Sequence, residues 1–252
     1  MLLPPPLGYR KNIPLYYPKT EEEIKADSYE RYHPNVLRSA RNFYEGDYGK
    51  TLLQHVRKHL ENKNPSSILE LGCGSGFLIG HLAKDHPDSP CIGFDYSYQM
   101  LKMASQVFKN EDQSEIILAG FQNGMQDLNI ATQHLANLNY ALSDACTTPL
   151  PDQSIDFCFS CFLFDRVGDP LKLIKEKIRV LKPEGAILII SPFNYLKSQG
   201  WRKWHPISQV VNRLIKEGLT LNQHDHFQLE EPLDARRNRV IWEVDSLLLT
   251  HA

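Results

Sequence analysis

The sequence predicts an α/β fold in which a doubly wound, mostly parallel sheet of seven strands follows a helical cap. Three observations predict it. From residue 67 to residue 217, short apolar runs alternate with stretches of helical periodicity, the rhythm of strand–helix–strand crossovers. The first apolar run ends in a glycine-rich turn, Gly72-Cys73-Gly74-Ser75-Gly76, that opens the next helix. The last two runs, 219–229 and 239–250, alternate apolar and polar residues more weakly. That pattern suits an antiparallel pair closing a sheet whose parallel strands are continuously apolar.

In chain order, residues 1–20 are rich in Pro and Tyr (Pro4-Pro5-Pro6, Pro14, Tyr16-Tyr17, Pro18) and read as an extended arm. Thr20 and Glu23 form a capping-box pattern that starts a helix over 21–31. Further helices are expected over 34–44 and 47–61, the latter with Leu52, Leu53, Val56 and Leu60 on one face. Residues 1–60 are thus an arm and cap, and 61–252 the main domain. Strands are expected at 67–71, 90–94, 138–142, 155–162 and 186–191. Helices are expected at 76–84, 98–108, 170–181 and 206–217, the last stopped by Gly218. Residues 110–137 exceed what a simple connection needs and read as an insertion with an added helix and loop.

Composition excludes several classes. At 42% hydrophobic and 23% charged, the chain can build a core. Its 28 basic and 30 acidic residues leave a net charge of −2, without the basic stripe of a nucleic-acid binder. The densest basic spots, Trp201-Arg202-Lys203-Trp204 and Arg236-Arg237-Asn238-Arg239, are short enough to be solvated surface. Five cysteines show no disulfide framework. Cys158 and Cys161 lie within one apolar strand, where a spacing of three places them on opposite faces rather than on a metal. They read as small buried residues of a reducing cytoplasm. His33, His55, His59 and His81 show no metal-binding spacing and read as surface or packing residues. No run is long enough for a membrane span, and the start, Met1 followed by Leu-Leu and three prolines, lacks the pattern of a leader.

The glycine turn carries the chemistry. Glycines 72, 74 and 76 let backbone N–H groups approach a ligand closely. Asp95, ending the second strand, is placed to accept both ribose hydroxyls of a nucleoside. Three details favour a methyl donor over a nicotinamide. The spacing is GxGxG rather than GxGxxG. Glu70 precedes the glycines, where a carboxylate suits the ammonium of a methionine moiety and repels a pyrophosphate. Asp144-Ala145 follows the third strand, placed to meet an adenine amino group and ring edge.

Glu70-Leu71-Gly72-Cys73-Gly74-Ser75-Gly76, Asp95-Tyr96-Ser97, Asp144-Ala145, Leu150-Pro151-Asp152 and Leu181-Lys182-Pro183-Glu184-Gly185 resemble the ordered motifs of class I S-adenosylmethionine-dependent methyltransferases, over roughly residues 65–250. Glu184 departs from the glycine common there, in a turn away from the chemistry. The resemblance implies a Rossmann-like sheet and S-adenosyl-L-methionine as cofactor. It implies a cofactor site of Glu70, Gly72, Cys73, Gly74, Gly76, Asp95, Tyr96, Met100, Asp144, Ala145 and Phe162.

For the acceptor, Asp165-Arg166-Val167-Gly168-Asp169-Pro170, Ser191-Pro192-Phe193 with Lys203-Trp204, and Asp234-Ala235-Arg236-Arg237-Asn238 resemble the mercaptohistidine N-methyltransferases of ovothiol biosynthesis. Carnosine N-methyltransferases are similar. This implies methylation of an imidazole nitrogen on a small histidine derivative. Asp165 and Tyr195 would be catalytic: Asp165 could accept the N–H of the ring and fix its tautomer. Asn194 and Tyr195 could hold the ring, Trp204 could line the pocket, and Arg166 or Arg236 could pair with a substrate carboxylate. Alternatives stand beside these roles. Asp165 could cap the helix near Pro170 or pair with Arg166, and 236–239 could be a surface turn. Tyr16, Tyr17, Tyr29, Tyr32 and Tyr44 could form a lid or simply pack helices. Two other functions remain open, methyl transfer to oxygen or carbon of another small molecule and non-catalytic cofactor binding. Nucleic-acid or protein methylation is not expected: Ser160-Cys161-Phe162-Leu163 lacks the Asn-Pro-Pro-aromatic motif for exocyclic amines.

Overall fold

The computed structural model describes residues 3–31, 33–61, 63–112, 114–120 and 124–252. Tyr32 and positions 121–123 of the insertion lie outside the described residues. The parallel heart of the sheet is β3 (Ile68–Leu71), β4 (Cys91–Asp95), β7 (Leu138–Leu142), β8 (Ile155–Cys161) and β9 (Leu181–Ser191). Strands β10 (Leu219–Pro232) and β11 (Arg239–His251) close it antiparallel. The order is β1-β2-β7-β4-β3-β8-β9-β11-β10. Winding runs outward from β3 through β4 to β7, then returns to β8 on the other side of β3. The switch point therefore lies between β3 and β8, where open α/β sheets bind ligands beyond their carboxyl ends.

All seven expected strands are present, and two more extend the sheet. The arm is not simply extended: β1 (Gly8–Arg10) and β2 (Ile13–Leu15) form a hairpin, and β2 runs parallel to β7 with Leu15 opposite Leu142. The free edge of β7 accepts it, Tyr16 N–H donating to Leu142 O at 2.8 Å, and Ile13 is buried there. The capping box forms, with Glu23 N–H on Thr20 Oγ1 and Thr20 N–H on Glu23 Oε2. The expected single helix breaks into α1 (Glu21–Ala26) and α2 (Ser28–Arg31), because Asp27 is extended and its carboxylate accepts Tyr29 N–H at 2.9 Å. α3 (His33–Tyr44) and α4 (Tyr48–Lys58) follow.

The insertion holds a hairpin, not a helix. β5 (Glu115–Leu118) pairs with β6 (Leu128–Ala131), burying Leu118 and Ile130; the β-branched run Ile116-Ile117 favours strand over helix. Arg41 of α3 ties it down by donating to Gln126 O. Helices α5 (Phe77–Asp85) and α6 (Tyr98–Phe108) pack with α3 and α4 on one face of the sheet; α7 (Pro170–Val180) and α9 (Ile207–Lys216) pack on the other. α7 ends one residue early. β9 begins at Leu181, and 182–185 bulge out between the Ile155–Leu181 and Phe157–Ala186 pairs. A short helix, α8 (Ser198–Trp204), was not expected from sequence.

The β10–β11 hairpin overshoots the sheet. β9 pairs only with 245–250 of β11, yet β10 and β11 continue pairing to Pro232 and Arg239. Their far half extends past the carboxyl edge of the parallel strands and leans on the cap. Phe227 stacks on His55 at 3.8 Å, Asp225 pairs with Lys58 at 2.9 Å, and Glu231 accepts from Asn42 at 2.7 Å. All five cysteines are free, and among the described residues no helix is long and apolar enough to cross a membrane.

Candidate functional site

The glycine loop follows fully buried β3 and is tied down from behind. Gly72 and Cys73 N–H both donate to Phe94 O, at 2.8 and 3.0 Å. Gly76, at φ 76°, begins α5. A Cβ there would strike the Tyr140 hydroxyl and lie 2.7 Å from Ala104, so only glycine lets the loop seat between β7 and α6. Met100 lies against Gly74, and Cys73 is buried in the same core.

Two carboxylates face this loop, Glu70 buried and Asp95 half-buried. Asp95 accepts Gly74 N–H at 2.8 Å on one oxygen and Ser97 N–H at 2.7 Å on the other. Glu70 accepts Ile79 N–H at 3.0 Å. Burial pushes both above the ordinary carboxylate range, Glu70 strongly so, and the charge of Asp95 adds to the shift of Glu70. The cations they feel, Lys177 and Lys19, are engaged elsewhere, with Cys158 at 3.6 Å and Asp27 at 2.7 Å. The loop is therefore short of positive charge, which suits a ligand offering hydroxyls and a cation.

The arm and cap cover this end. The Tyr17 ring lies 5.3 Å from that of Tyr96, and its hydroxyl donates to Glu23 at 2.7 Å. Lys19 sits 4.2 Å over the Tyr96 ring. Asp144, whose carboxylate accepts Cys146 N–H at 2.9 Å, bears electrostatically on Tyr17, and Asp95 on Tyr29. Tyr44 donates to Ser75 O at 3.0 Å. Tyr17, Tyr29 and Tyr44 thus face the loop, whereas Tyr16 donates to Pro4 O.

Beyond β8 and β9 the backbone is strained. Phe162 and Phe193 both have positive φ, 55° and 48°, an uncommon conformation for bulky residues. Asp165 joins the two exits. Its side chain is 0% exposed, and one oxygen accepts Asn194 N–H at 2.7 Å. The other oxygen has no hydrogen-bond partner among the described residues; Arg166 Nε is 3.8 Å away. Burial raises the Asp165 carboxyl, opposed by Arg166. The Tyr195 hydroxyl is buried without a partner too, and burial and the charge of Asp165 push it up. Asp165 does not cap α7; Asp169 does, accepting Leu171 N–H at 3.0 Å.

Structure brings Asp165, Arg166 and the Asn194 backbone together, while Asn194 is itself exposed and Tyr195 packs in the same core cluster as Trp204; two expected partners are left out. Trp204 is buried in the opposite core, 5.4 Å from Phe164, with Lys203 and Arg213 over its ring; it is a packing residue. Arg236 is exposed in the β10–β11 turn, which Asp234 holds by accepting N–H groups of Arg236 and Asn238.

Four residues around Phe162 escaped sequence reasoning: Asn42, Tyr48, Glu231 and Trp242. Phe162 lies 6.1 Å from Tyr48 and 6.0 Å from Trp242, ring centre to ring centre. Glu231 accepts from Asn42 at 2.7 Å and from Trp242 Nε1 at 2.8 Å. The available signal was length: the two closing strands are about twice as long as 186–191, so their far half had to project.

Residues 69–189 match the model of a methyltransferase-domain family. Malonyl-[acyl-carrier protein] O-methyltransferase of Marinomonas sp. is 29% identical over 66% of this chain and 53% of its own length. Ajmaline N-methyltransferase of Rauvolfia serpentina is 27% identical over 61% of this chain and 45% of its own. The chain thus spans about half the length of these curated relatives. In fold it is similar to a SAM dependent methyltransferase from Aquifex aeolicus, with TM-score 0.53 and 18% identity, covering 87% of this chain and 98% of that one. The family match runs from the strand before the glycine loop into the fifth parallel strand, and the sheet that carries it has the fold of that solved methyltransferase.

Proposed function

We propose that this chain transfers a methyl group from S-adenosylmethionine to an imidazole nitrogen of a small histidine-derived metabolite, of the thiohistidine or carnosine type. The carrying observation is the fully buried carboxylate of Asp165: one oxygen holds the β9 exit, and the other has no hydrogen-bond partner among the described residues, as the buried Tyr195 hydroxyl has none. A buried acceptor without a donor calls for a ligand that brings one.

The cofactor, when bound, supplies an electrophilic methyl carbon on a sulfonium. The residues facing the loop fit it. Asp95 accepts the ribose hydroxyls. Glu70 offers its buried charge to the methionine ammonium. Gly72, Gly74 and Gly76 allow close backbone approach, with Cys73 and Met100 packed behind them. Tyr96, Asp144 and Ala145 meet the adenine, and Phe162 covers the methionine end. On the acceptor side, Asp165 takes the N–H of a neutral imidazole. The tautomer is thereby fixed, the other nitrogen's lone pair is freed for methylation, and the developing cation is stabilised. Tyr195 and Asn194 steady the ring, and Arg166 pairs with a carboxylate. Positioning supplies most of the rate.

The likeness to an O-methyltransferase favours a second reading, transfer to oxygen on another small molecule with the same cofactor site. Turnover assays with thiohistidine, histidine, carnosine and a phenol panel separate the two. Asp165→Asn should lower kcat/KM on the imidazole acceptor by roughly a hundred-fold. Full activity in that variant, or turnover of phenols alone, would sink the imidazole assignment.

A further inference from the structure

We infer that Glu231, held by Trp242 at the edge of the Tyr48–Phe162–Trp242 ring cluster, is a subsite for an ammonium group on the methyl acceptor, so that the substrate class is a small zwitterion. This rests on reading the β8–β9 exits as the acceptor side.

Glu231 stands near the end of β10, in the half of the hairpin that overshoots the sheet. Its two oxygens are fixed by neutral donors, Asn42 Nδ2 and Trp242 Nε1. Their positions are set, yet among the described residues no cation pairs with the negative charge. Each oxygen keeps a lone pair free, and a carboxylate held by neutral donors gains most from a cation. The aromatic rings beside it are suited to the same guest. Trp242 meets Phe162 edge-on and Phe162 leans on Tyr48, and such faces attract ammonium groups through their quadrupoles. The strained φ of Phe162 is what turns its ring toward this group directly after β8.

The place relative to the chemistry follows from Phe162, which directly succeeds β8 three residues before Asp165 and lies between the rings of Tyr48 and Trp242; the fields around Tyr48 agree with it. The hydroxyl of Tyr48 feels Glu231, Cys161 and Arg166, and Cys161 in turn feels Glu70 of the glycine loop. Glu231 and Arg166 thus bear on one tyrosine with opposite charge. Among the described residues Arg166 makes only long contacts, 3.4 Å to Asn194 O and 3.8 Å to Asp165, which leaves its fork available for a carboxylate.

Titration calorimetry on the full chain with S-adenosylhomocysteine present tests this, using pairs that differ only in the ammonium: L-histidine against 3-(imidazol-4-yl)propionate, and L-tyrosine against 3-(4-hydroxyphenyl)propionate. The ammonium-bearing member of a pair should bind about ten-fold tighter in the wild type. In Glu231→Gln, which keeps shape and one acceptor, that ratio should fall to within about two-fold. No preference in either pair, or a preference that survives Glu231→Gln, overturns the ammonium subsite. A Glu231-dependent preference in the tyrosine pair alone keeps the subsite and sinks the imidazole reading.

Discussion

On the proposed reading, Glu70 sets the charge that a ligand carries at the glycine loop. Its carboxylate is wholly buried beside Asp95 and receives a single backbone N–H. Burial therefore raises its pKa well above the usual range. The sign is fixed. A carboxyl whose folded pKa exceeds its unfolded one contributes most to stability in acid, and loses that contribution as pH rises through the folded value. The cofactor-free chain is thus penalised near neutrality, and a cation bound at Glu70 relieves the penalty. Affinity for S-adenosylhomocysteine, whose ammonium remains, should rise with pH across the mildly acidic range, with protons released on binding. Glu70→Gln should move two measurements in opposite directions. The free protein should match wild type in acid and become more stable than it toward neutral pH. Product affinity should fall by about ten-fold or more, as for loss of a charged hydrogen bond. Calorimetry in two buffers of different ionisation heat reads the protons; equal proton release by wild type and Glu70→Gln would remove Glu70 from this role.

At the level of elements, local preference and packing can disagree, and α5 is a place to see it. Gly80 sits inside that helix, where alanine is intrinsically better by about 1 kcal/mol. A Cβ there would enter the ring of Phe108, at the end of α6, and lie 2.6 Å from its Cε1. Gly80→Ala should therefore destabilise, by about 1–3 kcal/mol, lowering the denaturation midpoint at unchanged slope; a stabilised variant would show that α6 yields. The same contest explains what could be read in advance. The parallel strands were legible because buried strands are continuous apolar runs, and the helices between them because their apolar faces recur. Three-residue strands such as β1 and β2 carry no period, and Pro14 argues against a strand inside a sheet, yet β2 lies between β1 and β7, meeting β7 only at Leu15. Asp27 broke a helix by a bond to the backbone two residues on, a choice that helical periodicity does not record. The glycine loop with Glu70 and Asp95 was legible since its parts are close in sequence. The cluster of Asn42, Tyr48, Phe162, Glu231 and Trp242 was not, because these residues come from distant elements and meet only through the overshoot of a hairpin.

For the whole molecule, the site has two covers of different origin. On the β4–β7 side lie the arm and first helices, with Tyr17 over Tyr96 and Tyr29 within the field of Asp95. On the β8–β9 side lie the projecting hairpin and α4, joined through Phe227 on His55 and Lys58 on Asp225. The sheet between them is rigid and doubly covered, so each ligand should act on the cover it touches. Local opening is easiest where backbone hydrogen bonds are few and exposed. The cofactor end is closed by three-residue strands and six- and four-residue helices; the acceptor end is closed by strands of 14 and 13 residues. S-adenosylhomocysteine alone should slow amide hydrogen exchange strongly over residues 16–30 and leave 227–243 near its already slow rate. Adding a zwitterionic acceptor should then slow the hairpin tip beyond Leu229, without further change in 16–30. Exchange mass spectrometry on the two complexes reads both segments at once. Uniform protection of both covers by the product alone would mean that they close as one body, and would contradict the division between a cofactor side and an acceptor side.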